Sequence, residues 1–291
     1  MGQNREKEET GSAGRLEPGL YVTATPIGNL KDMTLRAVEV LKAADHILCE
    51  DTRVAAKLTR HFGIRTSLSP YHEHNEGRML ETVLGWLRAG QSAALISDAG
   101  TPLISDPGYR LVRAVQEAGF RAFTIPGASA AIAALSISGL ATDRFYFEGF
   151  LPPKTKARAD RLAQLKAIDA TLVFYESPRR LAATLEAMAT VLGDREAAIG
   201  RELTKAFEEV RRAPLKELAA HYQQAGEPKG EIVLMVAAPT ETGPDWEGVD
   251  RALKAALKTE RLKDAVEQVT AATGAPRREV YQRALALKDG K

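Results

Sequence analysis

Cysteine is almost missing from this chain: Cys49 is the only one among 291 residues. A lone thiol excludes a disulfide framework, and its place in the apolar run His46-Ile47-Leu48-Cys49 marks a buried core residue in a reducing compartment. Gly-x-Gly occurs nowhere, and neither does Gly-x-x-x-x-Gly-Lys-Ser/Thr, so the dinucleotide fingerprint and the nucleotide phosphate loop are both absent. The five histidines form no His-Glu-x-x-His, and there is no Gly-x-Ser-x-Gly elbow. Kinase, dehydrogenase, zinc-protease and α/β-hydrolase chemistry lose their support together. Long hydrophobic runs are missing as well. The longest weakly polar stretch, 128–141, is too short for a membrane span and consists largely of Ala, Ser and Gly, which suits a helix packed closely on a sheet. No secretory signal is visible in the polar residues 1–19, which read as the disordered tail of a cytoplasmic protein.

An excess of either charge is lacking too, with 40 Lys and Arg against 38 Asp and Glu and a net charge of +2. A nucleic-acid partner would have to be held by local patches and by shape. What the chain does have is 44% hydrophobic residues, enough for a real core in each of two domains of ordinary size. From Leu20 onward, strand-like apolar runs alternate with helical patterns, the signature of an α/β fold with a mostly parallel sheet. Strands are predicted at 20–24, 46–50, 67–71, 93–97 and 121–125, with helices at 35–43, 54–62, 79–89, 109–118 and 129–138. These five βα units form an expected N-terminal α/β domain over 20–141. A second α/β domain over 142–238 opens with the aromatic run 144–150 and continues through strands near 171–175, 197–201, 208–211 and 231–237. Helices at 181–191 and 215–224 separate them. Pro239 to Pro244 is a linker by composition, and 245–291 reads as three short helices that resemble a helix-turn-helix unit or, equally, form a helical lid or dimer arm with no nucleic-acid role.

The chain is organised around Ala93 to Gly108, AALISDAGTPLISDPG, which reads as a strand, a shaped loop and a helix start. In an open parallel sheet ligands bind beyond the carboxyl ends of the strands. Five loops fall on that edge: 25–30, 50–53, 71–76, 98–108 and 126–130. Their glycines let backbone approach a ligand and their prolines fix loop shape, so main-chain groups could bind an adenine edge and a ribose without a phosphate loop.

Nine collinear runs then become specific together. They are Tyr21 to Leu30 (YVTATPIGNL), Glu50-Asp51-Thr52-Arg53, His72-Glu73-His74-Asn75-Glu76, Ser97 to Pro102 (SDAGTP), Ser105-Asp106-Pro107-Gly108, Gly149-Phe150-Leu151-Pro152, Tyr175-Glu176-Ser177-Pro178, Arg201 to Lys205 (RELTK) and Gly230 to Leu234 (GEIVL). In this order, over about 20–238, the chain resembles the ribosomal RNA small subunit methyltransferase I family of the tetrapyrrole methylase superfamily. The resemblance implies two α/β domains with S-adenosylmethionine in the cleft between them, a homodimer, and 2′-O-methylation of a cytidine in the decoding region of 16S rRNA. Assembled small subunits are the expected substrate, because exposed nucleotides on a shaped surface are what proteins read best. Two other readings remain open, a relative that methylates a small tetrapyrrole and a ribosome-binding factor without catalysis.

Carried over by position, Gly100-Thr101-Pro102 stands where the superfamily has Gly-Asp-Pro, with Asp98, Ala99, Ile104 and Ser105 beside the cofactor. Pro26, Ser129, Ala130, Tyr175, Gly230, Glu231 and Ile232 would complete its site. Arg179 follows Tyr-Glu-Ser-Pro where the family usually has His, so no general base is assigned there. The catalytic candidates are Glu50, Asp51, His72 and His74, with Arg53 to orient a phosphate or carboxylate. For Glu50, Asp51 and Arg53 the competing reading is a helix N-cap with a local ion pair. His72 and His74 lack a third ligand in reach and give no recognisable zinc pattern. Lys154, Lys156, Arg158, Arg161, Arg179-Arg180 and Arg211-Arg212 are solvated charge by default and phosphate contacts in the family reading.

Overall fold

The structure, a computed structural model, describes residues 15–239 and 246–289. The expected tail lies outside them up to residue 14, as does the linker from 240 to 244. Strands β1 (Gly19–Thr23), β2 (His46–Cys49), β3 (Ser67–Pro70), β4 (Ala93–Leu95) and β5 (Arg121–Ile125) form one sheet in the order β3-β2-β4-β1-β5, every pair parallel. Parallel neighbours need crossovers. These are α1 (Leu35–Ala43), α2 (Thr52–His61), α3 (Glu76–Arg88) and α4 (Tyr109–Glu117), and α5 (Ala130–Ile137) follows β5. Alternation along the strands feeds two cores. In β4, Ala94 packs with Tyr21, Ala37 and Leu41 on one face, while Ala93 and Leu95 pack with Leu20, Val83 and Leu111 on the other. Burial on both faces is why the inner strands β1, β2 and β4 read as continuous apolar runs.

The second sheet is β6 (Phe145–Phe150), β7 (Thr171–Glu176), β8 (Glu196–Arg201), β9 (Glu209–Pro214) and β10 (Ile232–Val236), in the order β6-β7-β10-β8-β9. Only β6 and β7 run parallel; β10 is antiparallel to both its neighbours, and β8 to β9. Helices α7 (Leu181–Leu192) and α8 (Leu215–Ala225) cover one face, where Leu172, Phe174, Ile199, Ile232 and Leu234 are buried. The residues between these point the other way. Val173, Tyr175, Ala198, Val233 and Met235 meet Ala131, Ala134 and Leu135 of α5. The small-residue helix thus packs closely on a sheet as expected, and the sheet it covers is the second one.

Helix α6 (Thr155–Leu165) was not foreseen, because its charged residues hide a narrow apolar stripe. Arg158, Leu162 and Leu165 are the side chains it buries. Arg158 is therefore not a solvated phosphate contact. Arg161 is not one either: it forks onto Glu148 with two N–O distances of 2.6 Å, leaving Lys154 and Lys156 as the exposed cations of that stretch.

The C-terminal residues form a separate unit of α9 (Trp246–Ala256), α10 (Leu262–Thr273) and α11 (Arg277–Asp289) around Val249, Leu253, Val266, Val269 and Val280. Gly274 ends α10 in the left-handed conformation, and Arg283 lies over the Trp246 ring while its guanidinium pairs with Asp250 at 2.8 Å. No helix among the described residues is long and apolar enough to cross a membrane.

Candidate active site

The loops beyond the carboxyl ends of the parallel strands are tied to one another by short hydrogen bonds. Thr25 and Gly100 exchange backbone bonds of 2.8 and 3.1 Å, joining the loops after β1 and β4. The Thr25 hydroxyl donates to the Ser97 carbonyl at 3.1 Å, and the Thr101 hydroxyl to the Ala128 carbonyl at 3.0 Å, which adds the loop after β5. Gly100 holds φ +81°, a left-handed conformation that disfavours any side chain.

Against this edge stands the α5-facing side of the second sheet, and between them lies a cleft of about 420 Å3. That volume falls within the roughly 300–1,000 Å3 typical of small-molecule sites. One wall is Asp98, Ala99, Gly100, Thr101, Ile104 and Ser105, continued by Ser129 and Ala130. The opposite wall is Tyr175, Gly230, Glu231 and Ile232. The structure therefore brings together twelve of the residues expected around a cofactor. Pro26 and Pro102 stay out of the wall. Pro26 is buried on the far side of Asp98-Ala99, where Ile27 takes its place in the cleft, and Pro102 turns inward behind Thr101.

Residues of the same runs that were not assigned to the site also line the cleft, among them Ile27, Asp106, Phe150, Glu176, Leu203 and Val233. Four of these, Ile27, Phe150, Leu203 and Val233, are apolar, and Phe150 and Val233 reach the cleft through the register of the second sheet's strands, which motif spacing does not carry. Tyr175 packs edge-on against Phe147 and Phe150, with ring centroids 5.0 and 5.7 Å apart. Glu176 is buried and fully engaged: one oxygen accepts from the Ser177 amide at 2.8 Å and lies 3.3 Å from Arg180, and the other accepts from the Thr184 hydroxyl at 2.6 Å. It holds the turn below the cleft. Gly230, at φ +100°, lets the chain pass the Glu202 carboxylate, which a Cβ there would strike.

The catalytic candidates divide. Glu50, His72 and His74 line a neighbouring hollow of about 340 Å3, with Glu73, Ser105, Asp106 and Pro107. Burial, then Asp98 and Glu73, raise the Glu50 carboxyl, and His72 partly offsets them. His72 and His74 meet edge to face at 5.9 Å, and the His72 Nδ1 is buried without a hydrogen-bond partner. Asp51 and Arg53 are not part of the hollow. Asp51 caps α2 by accepting from the Arg53 amide at 2.8 Å, and its carboxylate is forked by the Arg53 guanidinium, at 2.6 Å from Nη2. Hydrogen bonding from Arg53 holds the Asp51 carboxyl at about 2. A carboxylate so stabilised is a weak proton acceptor, so its observed surroundings are those of a cap with a local ion pair. Among the other basic residues, Arg180 donates to the Leu151 carbonyl at 2.7 Å, Arg211 pairs with Glu209 at 3.1 Å, and Arg212 donates to the Gly139 carbonyl at 2.8 Å. Arg179 is exposed.

Residues 19–219 match the family described as Tetrapyrrole (Corrin/Porphyrin) Methylases, and residues 243–288 match the RsmI C-terminal HTH domain. The three-helix reading of the C-terminal region agrees with the second match. Among solved structures, the chain resembles the cobalt precorrin-4 methyltransferase CbiF with a TM-score of 0.58 at 16% identity, covering 75% of this chain and 94% of that one. It resembles a diphthine synthase equally, with a TM-score of 0.58 at 17% identity over 75% of this chain and 89% of the other. At such identities the likeness speaks for the fold alone. The sequence relatives are much nearer. The chain is 52% identical over 275 residues, 94% of both chains, to the Ribosomal RNA small subunit methyltransferase I of Mesorhizobium japonicum. It is 51% identical over 277 residues, 95% of this chain and 98% of the relative, to the protein of that name from Erythrobacter litoralis. With a family match over most of its length and relatives at this identity, the chain belongs to the ribosomal RNA small subunit methyltransferase I family of the tetrapyrrole methylases.

Proposed function

We propose that this protein is an rRNA methyltransferase that transfers a methyl group from S-adenosylmethionine to the ribose 2′-oxygen of a cytidine in the decoding region of 16S rRNA. The observation that carries the proposal is the cleft itself, with twelve expected residues on its two walls in a chain of this family. The wall chemistry fits the cofactor. Ile27, Leu203 and Val233 offer apolar surface to an adenosine ring system, and the Ser105 and Ser129 hydroxyls offer hydrogen bonds. Gly100 and Gly230 hold left-handed backbone that a side chain would strain, and at Gly230 a Cβ would also strike Glu202. When bound, the cofactor supplies an electrophilic methyl group on a positively charged sulfur.

The protein's own part is positioning. Methyl transfer needs the acceptor oxygen in line with the sulfur–methyl bond, and holding reactants in that geometry supplies much of the rate. The hollow lined by Glu50, His72 and His74 adjoins the cleft and is the place for the acceptor nucleotide. Lys154, Lys156 and Arg179 are exposed cations suited to RNA phosphates. A cytoplasmic homodimer acting on assembled small subunits completes the reading.

The test is transfer of labelled methyl to small ribosomal subunits, followed by alkaline hydrolysis. A labelled, alkali-resistant dinucleotide containing cytidine is expected. Label on a base, or none, sinks the ribose assignment. Equal or faster labelling of protein-free rRNA would remove the preference for the assembled subunit.

A further inference from the structure

Two residues of the cleft wall, Ser105 and Asp106, also line the neighbouring hollow. They sit in a segment of unusual backbone, since Leu103 and Ser105 both hold left-handed conformations, φ +73° and +66°. Such conformations in residues other than glycine are strained and persist only where the surroundings over-determine them. The packing here does so: Leu103 sits in the core under α4, and Gly149 passes so close that a Cβ there would stand 2.8 Å from the Ser105 hydroxyl. The strained turn fixes Asp106 at the partition between the two cavities.

We propose that Asp106 is the catalytic proton acceptor of the methyl transfer, placed to take the 2′-hydroxyl proton of a ribose seated in the hollow. The assignment rests on the ribose-methylation reading above. In the step, the bond from the ribose oxygen to the methyl carbon forms as the carbon–sulfur bond breaks. The bonding pair stays on sulfur, which becomes a neutral thioether, and the hydroxyl proton passes to the Asp106 carboxylate. Charge balances, since a sulfonium and a carboxylate give a thioether and a carboxylic acid.

The groups around Asp106 suit the role. Burial pushes its carboxyl up to about 6, the Glu50 and Asp98 carboxylates add to this, and the Ser97 hydroxyl opposes it. Tyr175 faces it from β7 across the cleft, and His72, Glu73 and His74 face it across the hollow. A base with such a value is ionised at neutral pH yet holds a proton far better than Asp51 does. Other acidic groups are less well placed. Glu176 is committed to Ser177, Arg180 and Thr184, and Glu50 borders the hollow alone.

The test compares the full-length protein with Asp106→Asn. Methyl transfer at pH 8 is expected to fall by roughly 100- to 1,000-fold, the usual contribution of a positioned base, while S-adenosylhomocysteine binds within about threefold by calorimetry. The wild-type rate should rise tenfold per pH unit below about 6 and level above it, and this dependence should vanish in the variant. Independently of activity, carboxyl NMR of the free protein should show one aspartate titrating near 6 that the substitution removes. Asp106→Ala, which also removes the carboxylate, serves for the same assignment if the asparagine variant does not fold. A variant rate within threefold of wild type, an unchanged pH profile, or no such carboxyl resonance overturns the proposal. Wild type that yields no alkali-resistant dinucleotide overturns the ribose reading, and this assignment with it. A resistant dinucleotide made equally well by Asp106→Asn overturns this assignment alone.

Discussion

The loops after the parallel strands bring both histidines and the carboxylates Glu50, Asp98 and Asp106 to the site, whereas the second half brings Tyr175 and Val233, with Glu176 held in its own turn and Glu231 paired with Lys205. The difference follows from topology. Five parallel strands end on one edge, so their loops converge and can be tied together, as Thr25 is to Gly100 and Thr101 to Ala128. In the mixed sheet, all neighbouring strands but β6 and β7 point opposite ways, so loop ends scatter. Its contribution is a flat apolar face set by side-chain alternation. One half thus supplies reactive groups and the other a platform.

The largest expected effect tests whether both halves hold the cofactor. Gly100→Val and Gly230→Val each force a branched side chain into a left-handed backbone. Each should weaken S-adenosylhomocysteine binding by about 100-fold or more in calorimetry, given strain of ~1–3 kcal/mol plus lost approach. A loss in only one of them would mean that one half binds alone. Next, Tyr175→Ala should weaken binding about tenfold by removing an aromatic wall, and Tyr175→Phe should stay near wild type. Equal losses in both would replace the platform with a hydroxyl contact.

Asp106→Asn should change stability in the opposite sense to rate. The folded carboxyl, at about 6, lies above its unfolded value, so the folded state holds the proton more tightly. Stability from this group is full below the unfolded value and is lost as pH rises towards 6. The variant escapes that loss and should gain about 1–2 kcal/mol at pH 8, after allowing for partial solvent screening, and nothing near pH 3. Denaturant titrations at the two pH values would show it. The smallest effect is at Asp51. Asp51→Ala removes the α2 cap and should lower Tm by about 2–4 °C, with methyl transfer changed less than threefold. A hundredfold loss would return Asp51 to the catalytic group.

Much of this division can be read from residues in order. The first sheet was visible because its inner runs, Ala93 to Ile96 with 20–24 and 46–49, are apolar on both faces, as strands covered on two sides are. The cleft wall from Asp98 to Ser105 was visible because Gly and Pro punctuate a loop that must hold a special shape. Other features depended on register and on distant partners. Arg158 and Arg161 look like solvated charge until α6 turns one inward and sets the other against Glu148. Asp106 reads as the residue opening a helix, and only the meeting of two cavities gives it another use. The mixed direction of the second sheet was equally hidden, since the apolar run of β10 is compatible with either pairing.

Helix α5 leaves the ribosome before the strands that cover it. Its apolar side, with Ala131, Ala134 and Leu135, finds its partners only once Val173, Val233 and Met235 have been synthesised. The nascent chain therefore carries an uncovered apolar face while the strands of the second sheet are being synthesised. Residues 130–137 are where a chaperone, or a premature stop followed by aggregation, should first be seen to act.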